Sequence, residues 1–219
     1  MGKLIVIEGL DGSGKGTQAA RLAEYLQSRG VKVREISFPQ YENESSAFVK
    51  MYLDGRLGAS PADTGAYAAS MFYASDRYIS FRTDWGKDIA DPDTVVIANR
   101  YTTANAYHQL AKLPRDQWDA FLAWLWDFEF AKLGLPVPDA VIALSMLPAA
   151  SQKLIEKRCV ETGVKKDIHE ADVAYLENCY TALHYAADKL GWICLECAEG
   201  DRLYTIDEMH GRIRAALNL

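Results

Sequence analysis

Apolar residues recur along the chain in two alternating patterns. Short runs rich in β-branched residues, such as Leu4 to Ile7, give way to longer stretches with an apolar residue every three or four positions. The first pattern marks a buried parallel strand and the second a helix with one buried face. Strands are predicted near residues 3–8, 31–37, 94–98, 139–145 and 191–196. Helices are predicted over 15–29, as a pair across 44–83, and over 102–112, 115–132, 148–159, 170–190 and 205–217. In the first helix Ala19, Leu22 and Leu26 share a face, and Gly30 stands where a helix C-terminal glycine belongs. Pro136 and Pro138 precede the fourth strand, where a missing N–H is tolerated. No internal repeat or low-complexity segment interrupts the pattern. Such alternation implies a three-layer α/β fold, with a central, mostly parallel five-stranded sheet flanked by helices. Ligands should gather at the C-terminal ends of its strands.

The residues with chemical potential do lie just after strands, at 9–17, 38–41 and 99–107. Gly9-Leu10-Asp11-Gly12-Ser13-Gly14-Lys15 fits the phosphate-binding pattern G-x-x-x-x-G-K. Its glycines reach backbone angles that strain other residues, and the N–H groups at the helix start converge on an anion, helped by the helix dipole. The pattern places Ser or Thr directly after the lysine, whereas here Gly16 intervenes and the hydroxyl sits on Thr17. An ordinary glycine-rich turn is the alternative, but the readable strand before and helix after favour phosphate. The ATP-binding candidates are therefore Gly9, Asp11, Gly12, Ser13, Gly14, Lys15, Gly16 and Thr17. Lys15 should bridge the β- and γ-phosphates, and Thr17 should act near Mg²⁺.

Between the second and third of these segments, "MFYASDRY" carries Tyr73 and Arg77 on one helix face. An aromatic ring and a guanidinium so placed can stack on a base and donate to its carbonyl. Taken singly, Tyr73 is more often core and Arg77 more often a surface charge beside Asp76.

Composition narrows the class without choosing within it. The 219 residues suffice for one substantial core, and 49% hydrophobic with 25% charged residues is ordinary for a soluble globular chain. A net charge of −6 argues against general nucleic-acid or anionic-membrane binding, which want basic surfaces. No apolar run has membrane-spanning length, no signal peptide is expected ahead of a strand that starts at once, and Val6 breaks a myristoylation pattern. The cytoplasm is the expected compartment. Cys194 and Cys197 form a C-x-x-C with no second ligand pair, so both read as idle thiols. The four histidines show no metal-ligand spacing. No N-K-x-D guanine motif occurs, which weighs against a GTPase switch.

The motifs "IEGLDGSGKGTQ", "FPQY", "LDGRLG", "FYASDR", "RYTTANAY", "GLPVPD" and "DIHEAD" together resemble the thymidylate kinases, which are P-loop nucleoside monophosphate kinases. The resemblance implies a P-loop NTPase fold, a single domain over 1–219 with a lid around 153–169, and a homodimer packed through helices. It implies ATP-dependent phosphorylation of dTMP to dTDP with Mg²⁺. Asp11 matches the loop carboxylate on the deoxyribose 3′-hydroxyl side, and Phe38, Pro39 and Tyr41 match the acceptor wall. Tyr73 matches the aromatic that stacks on thymine, Arg77 the arginine on its O4, and Asn105 a polar residue on the base. Arg100 matches the arginine that holds the acceptor phosphate and, with Lys15, is the implied catalytic pair. Tyr107 resembles the aromatic that crowds a ribose 2′-hydroxyl, one place earlier than usual. Basic lid residues are sought among Lys153, Arg158, Lys165 and Lys166. The chain departs from the family where Asn99 replaces the D-R-Y aspartate and where Gly16 precedes Thr17, which resembles adenylate kinases. Another (deoxy)nucleoside monophosphate, a deoxynucleoside, and a non-catalytic nucleotide-binding regulator remain alternative readings.

Overall fold

β-branched runs do form a buried sheet. The structure is a computed structural model that describes residues 1–163, 168–170, 172–200 and 202–219, with Arg158 and Thr162 described by backbone alone. In chain order come β1 (Lys3–Gly9), α1 (Lys15–Ser28), β2 (Lys32–Ser37), α2 (Ala47–Leu53), α3 (Ala66–Ser80), α4 (Gly86–Ala90) and β3 (Thr94–Asn99). Then follow α5 (Thr102–His108), α6 (Trp118–Trp126), β4 (Ala140–Ser145), α7 (Pro148–Thr162), α8 (Val173–Leu190) and β5 (Ile193–Glu196). A small hairpin, β6 (Ala198–Glu199) with β7 (Arg202–Leu203), leads into α9 (Ile206–Ala216).

β1 to β5 make one parallel sheet in the order β2-β3-β1-β4-β5. β1 is central, and every residue from Leu4 to Gly9 is buried. One side of the sheet is covered by α1 and α9, where Leu22, Met209 and Ile213 pack on Ile7 and Ile142. The other carries α5, α6 and α8, with Leu110, Phe121, Leu125 and Leu183 in a second cluster. Each such fully buried side chain contributes about 1.5–3 kcal/mol relative to exposure. Among the described residues no helix is long and apolar enough to cross a membrane.

Register sets the site. Asn99 lies opposite both Ile7 and Ser37, and Gly9 lies opposite Leu144. The chains leaving β1, β2 and β3 therefore open along one edge. A Cβ on Gly9, at φ +150°, would sit 2.9 Å from the Leu144 carbonyl oxygen, so only glycine lets β1 turn there against β4.

The structure departs from helical periodicity in two places of consequence. α3 runs into a π-helical turn, Phe81–Trp85, before α4, and α6 runs into a second, Asp127–Lys132. A π turn shifts the helical register by one residue and is frequent near functional sites. The second one delivers Glu129 to the interior, fully buried. The helix predicted over 115–132 runs straight through the second turn, whereas the pair predicted across 44–83 ends inside the first and misses α4.

Candidate active site

Gly14, at φ +83°, starts α1, and with Gly12, at φ +80°, it wraps the chain after β1 into a loop. The root of α7 packs on this loop: the Ser151 hydroxyl donates to the Asp11 carbonyl, and a Cβ on Gly12 would sit 2.8 Å from the Ser151 carbonyl oxygen. Lys15 turns back over the loop, its Nζ 3.2 Å from the Leu10 carbonyl oxygen and 3.1 Å from Asp11 Oδ1. Asp11 Oδ1 also accepts from Arg100 Nη2 at 2.7 Å. One carboxylate thus joins the first and third loops. Burial disfavours its charge, but Arg100 and then Lys15 outweigh that and hold Asp11 well below the usual carboxylate range. Burial and the adjacent Arg100 lower the pKa of the Lys15 ammonium.

Arg100 follows β3 with φ +66°, a left-handed conformation that is strained for any side chain but glycine's. Buried partners fix it. Its Nη1 donates to the Tyr107 hydroxyl at 2.8 Å and to His108 Nε2 at 2.9 Å. Arginine only donates, so His108 Nε2 must accept and the imidazole is neutral. Burial first, then Arg100 and His169, keeps the His108 pKa well below its ordinary value. Behind this layer Glu8 Oε1 accepts from the Tyr101 N–H at 3.0 Å and the Thr103 hydroxyl at 2.6 Å, which ties the start of α5 to β1. Glu8 Oε2 takes the Tyr107 hydroxyl at 3.0 Å.

Around these groups lies a cavity of about 1130 Å³, larger than the roughly 300–1,000 Å³ of a single small-molecule site. The loop residues Asp11 to Thr17 line it, as do Phe38, Pro39, Tyr41, Tyr73, Arg77, Arg100 and Asn105. Most of the residues singled out in the sequence therefore meet in one place. Gly9 lies beneath, as the pivot of the loop. Tyr73 is half-buried, its ring edge-on to Tyr52 at 6.3 Å, and it lines the cavity while packing on the small core cluster of Val49, Tyr52, Leu53 and Ala69. Arg77 is no surface charge: it is 1% exposed and forks onto Glu129 with contacts of 2.7 and 2.6 Å. Its neighbour Asp76 is buried too, and accepts from the Gln40 N–H at 2.8 Å, which pins the loop after β2 to α3.

Tyr107 does not reach the cavity. It is fully buried, and its hydroxyl bridges Arg100 and Glu8, because α5 turns that position inward. The next residue, His108, lines the cavity instead. Of the lid candidates, Lys153 is exposed on α7 and does not line the cavity. The Arg158 side chain, Lys165 and Lys166 lie outside the described residues. From the expected lid stretch 153–169, Leu154 and His169 line the cavity, and Glu170 follows them there. His169 is docked through Tyr52: Lys112 Nζ donates to the Tyr52 hydroxyl at 2.7 Å, and that hydroxyl and His169 Nε2 are hydrogen-bonded at 2.7 Å. Burial, reinforced by Lys112, pushes the His169 pKa down to about 3. Leu203 to Ile206 and Met209 form the far wall, a contribution that the bland sequence of the C-terminal segment did not signal.

The thymidylate kinase family model matches residues 7–203. The chain belongs to the thymidylate kinase family. It is 30% identical over 191 residues to a thymidylate kinase of Mycobacterium tuberculosis (strain ATCC 25618 / H37Rv), covering 86% of this chain and 87% of that one. A Caenorhabditis elegans thymidylate kinase is 28% identical over 156 residues, 67% of this chain and 64% of that one. The solved thymidylate kinase of Candida albicans superposes with a TM-score of 0.70 at 19% identity, covering 99% of this chain and 91% of that one, and so shares the fold.

The family's activity calls for Mg²⁺ beside the phosphates, and two atoms suit a hard cation that prefers oxygen. Thr17 lines the cavity. Asn99 does so too, donating to Ser37 Oγ at 3.1 Å, while its buried Oδ1 has no hydrogen-bond partner among the described residues. Such an orphaned acceptor fits a metal ion or its water. Asn99→Asp adds charge at the same shape, and the Ser37 hydroxyl can turn from accepting to donating to the new carboxylate oxygen. It is expected to lower the Mg²⁺ concentration needed for half-maximal turnover and for tight ATP binding by calorimetry. A higher Mg²⁺ requirement would show that the position needs a neutral group.

Proposed function

We propose that this chain transfers the γ-phosphoryl group of ATP to the 5′-phosphate of dTMP, giving ADP and dTDP. The observation that carries the reading is the pairing of Lys15 and Arg100 on one carboxylate, between the glycine loop and a cavity wall that carries Tyr73, Arg77 and Asn105. An acceptor-phosphate oxygen attacks the γ-phosphorus as the bond to the β–γ bridging oxygen breaks, and the leaving charge stays on ADP. Such transfer needs alignment and charge stabilisation more than covalent help from the protein. The loop N–H groups suit the β-phosphate, Lys15 the β- and γ-phosphates, and the Arg100 fork two phosphates at once. Mg²⁺, when bound, neutralises charge on the phosphate oxygens, and Thr17 and Asn99 are the residues that would hold it.

The far wall from Leu203 to Met209 is suited to the ATP base. On the acceptor side, Tyr73 offers a ring to stack on thymine, Arg77 a donor to O4, and Asn105 a polar contact to the ring. The sugar wall first assigned to Tyr107 passes to His108, which is the residue of that stretch that faces the cavity. The test is ADP release with ATP and each acceptor in turn. Turnover with dTMP should exceed that with dCMP, dGMP, AMP and thymidine, and equal or greater turnover with AMP would remove the thymine assignment.

A homodimer is part of the same reading. Phe48, Tyr67, Met71, Tyr78 and Ile79 on α2 and α3 remain 36–55% exposed, an apolar face of the kind that marks an interface. Sedimentation should find a dimer that Met71→Glu dissociates. A monomeric wild-type protein at micromolar concentration would sink this part.

A further inference from the structure

Glu129 does not line the cavity, yet it touches both groups that would read an acceptor base there. All four lone-pair sites of its carboxylate are filled. Oε2 accepts from Arg77 Nε and from the Thr102 hydroxyl, both at 2.7 Å. Oε1 accepts from Arg77 Nη2 at 2.6 Å and from Asn105 Nδ2 at 3.2 Å. The remaining N–H of Asn105 Nδ2 points to the Ser70 carbonyl oxygen at 3.4 Å. A carboxylate and a carbonyl only accept, so the Asn105 amide has one permitted orientation. Both its hydrogens are spent on the interior, and what it has left for the cavity is its carbonyl oxygen. Arg77, held by the same carboxylate, can only donate.

We propose that Glu129 is a positioning residue that fixes the hydrogen-bond polarity of the base subsite, an acceptor at Asn105 beside a donor at Arg77, so that it takes 4-oxo pyrimidines and rejects 4-aminopyrimidines. Thymine and uracil present an N3–H to the acceptor and an O4 to the donor. Cytosine presents a bare N3 and an amino group, the reverse at both positions. A buried mismatch of this kind leaves polar groups unpaired, which is how sites built on hydrogen bonds reach large discrimination. The π-helical turn is part of the device, because it is the segment that carries Glu129 inward. The inference rests on the proposed acceptor site, and it is tested by binding so that its failure is separate from a failure of phosphoryl transfer.

Calorimetric binding of dTMP, N3-methyl-dTMP and dCMP to the wild-type chain should favour dTMP over the other two by about 100-fold or more. Equal binding of dTMP and dCMP overturns the proposal, whatever the variants do. Glu129→Gln places an amide N–H against the donors of Arg77 or Asn105, and the relief is rotation of the Asn105 amide, which turns an N–H to the cavity. The preference for dTMP over dCMP should shrink at least tenfold, through KM rather than kcat, with Mg-ATP affinity unchanged. A general loss of structure would move all three. The swapped pair Glu129→Gln with Asn105→Asp restores an acceptor at 105 and should recover most of the preference. A folded Glu129→Gln protein with the wild-type preference, or a folded swapped pair without it, contradicts the proposal.

Discussion

Asp11 carries its charge between Lys15 and Arg100, two cations that burial alone would not sustain side by side. Their side chains are only 10% and 13% exposed, and each by itself would meet a large desolvation cost. The carboxylate offsets that cost and fixes both positions before any phosphate arrives. Because Asp11 belongs to the loop after β1 and Arg100 to the turn after β3, this contact also sets the spacing of the two halves of the cavity. On the proposed function, substrate phosphates would offer the same cations a second partner, and the free site is organised around an internal anion in their place.

Strain and burial are distributed in the same way elsewhere. Arg100 sits at φ +66°, a conformation that costs about 1–3 kcal/mol outside glycine. It persists because Glu8, Tyr107 and His108 hold the start of α5 and the guanidinium from behind. Glu8 is itself buried, and burial raises its pKa against the pull of Arg100 and of the hydrogen bonds from Thr103, Tyr101 and Tyr107. Glu129 plays a comparable part for Arg77 and Asn105. In each case a carboxylate that touches no substrate determines what a cavity-lining group can offer, which is the structural content of preorganisation.

Much of this was legible in the sequence, for reasons that differ by element. The central strands were, because a parallel strand buried on both faces is mostly apolar, and LIVI or VVIA admits few other readings. The glycine loop was, because its backbone angles demand glycine at fixed spacing. Arg100 and Asn105 were singled out by their position after a strand, Tyr73 and Arg77 by sharing a helix face, and all four by the resemblance to a family. Glu8 and Glu129 were invisible, since a single acidic residue in an apolar run gives no sign of whether it points at solvent or at an arginine far along the chain. The π turns were invisible too, as they preserve the apolar pattern while shifting which residue faces inward. The same one-residue ambiguity separated Tyr107 from His108. A neutral, cavity-facing histidine could not be told from its buried aromatic neighbour without the helix phase.

The most direct test is the titration of the Asp11 side-chain carboxyl in the free protein, followed by carbon NMR from pH 7 down to pH 4. If Asp11 is the anion that assembles Lys15 and Arg100, its resonance should stay at the ionised position over the whole range. Its stabilising contribution should then fade only at still lower pH, as the depressed pKa is crossed. An inflection heading toward the ordinary aspartate value of about 3.9 would show that the two cations do not rest on Asp11, and would contradict the account.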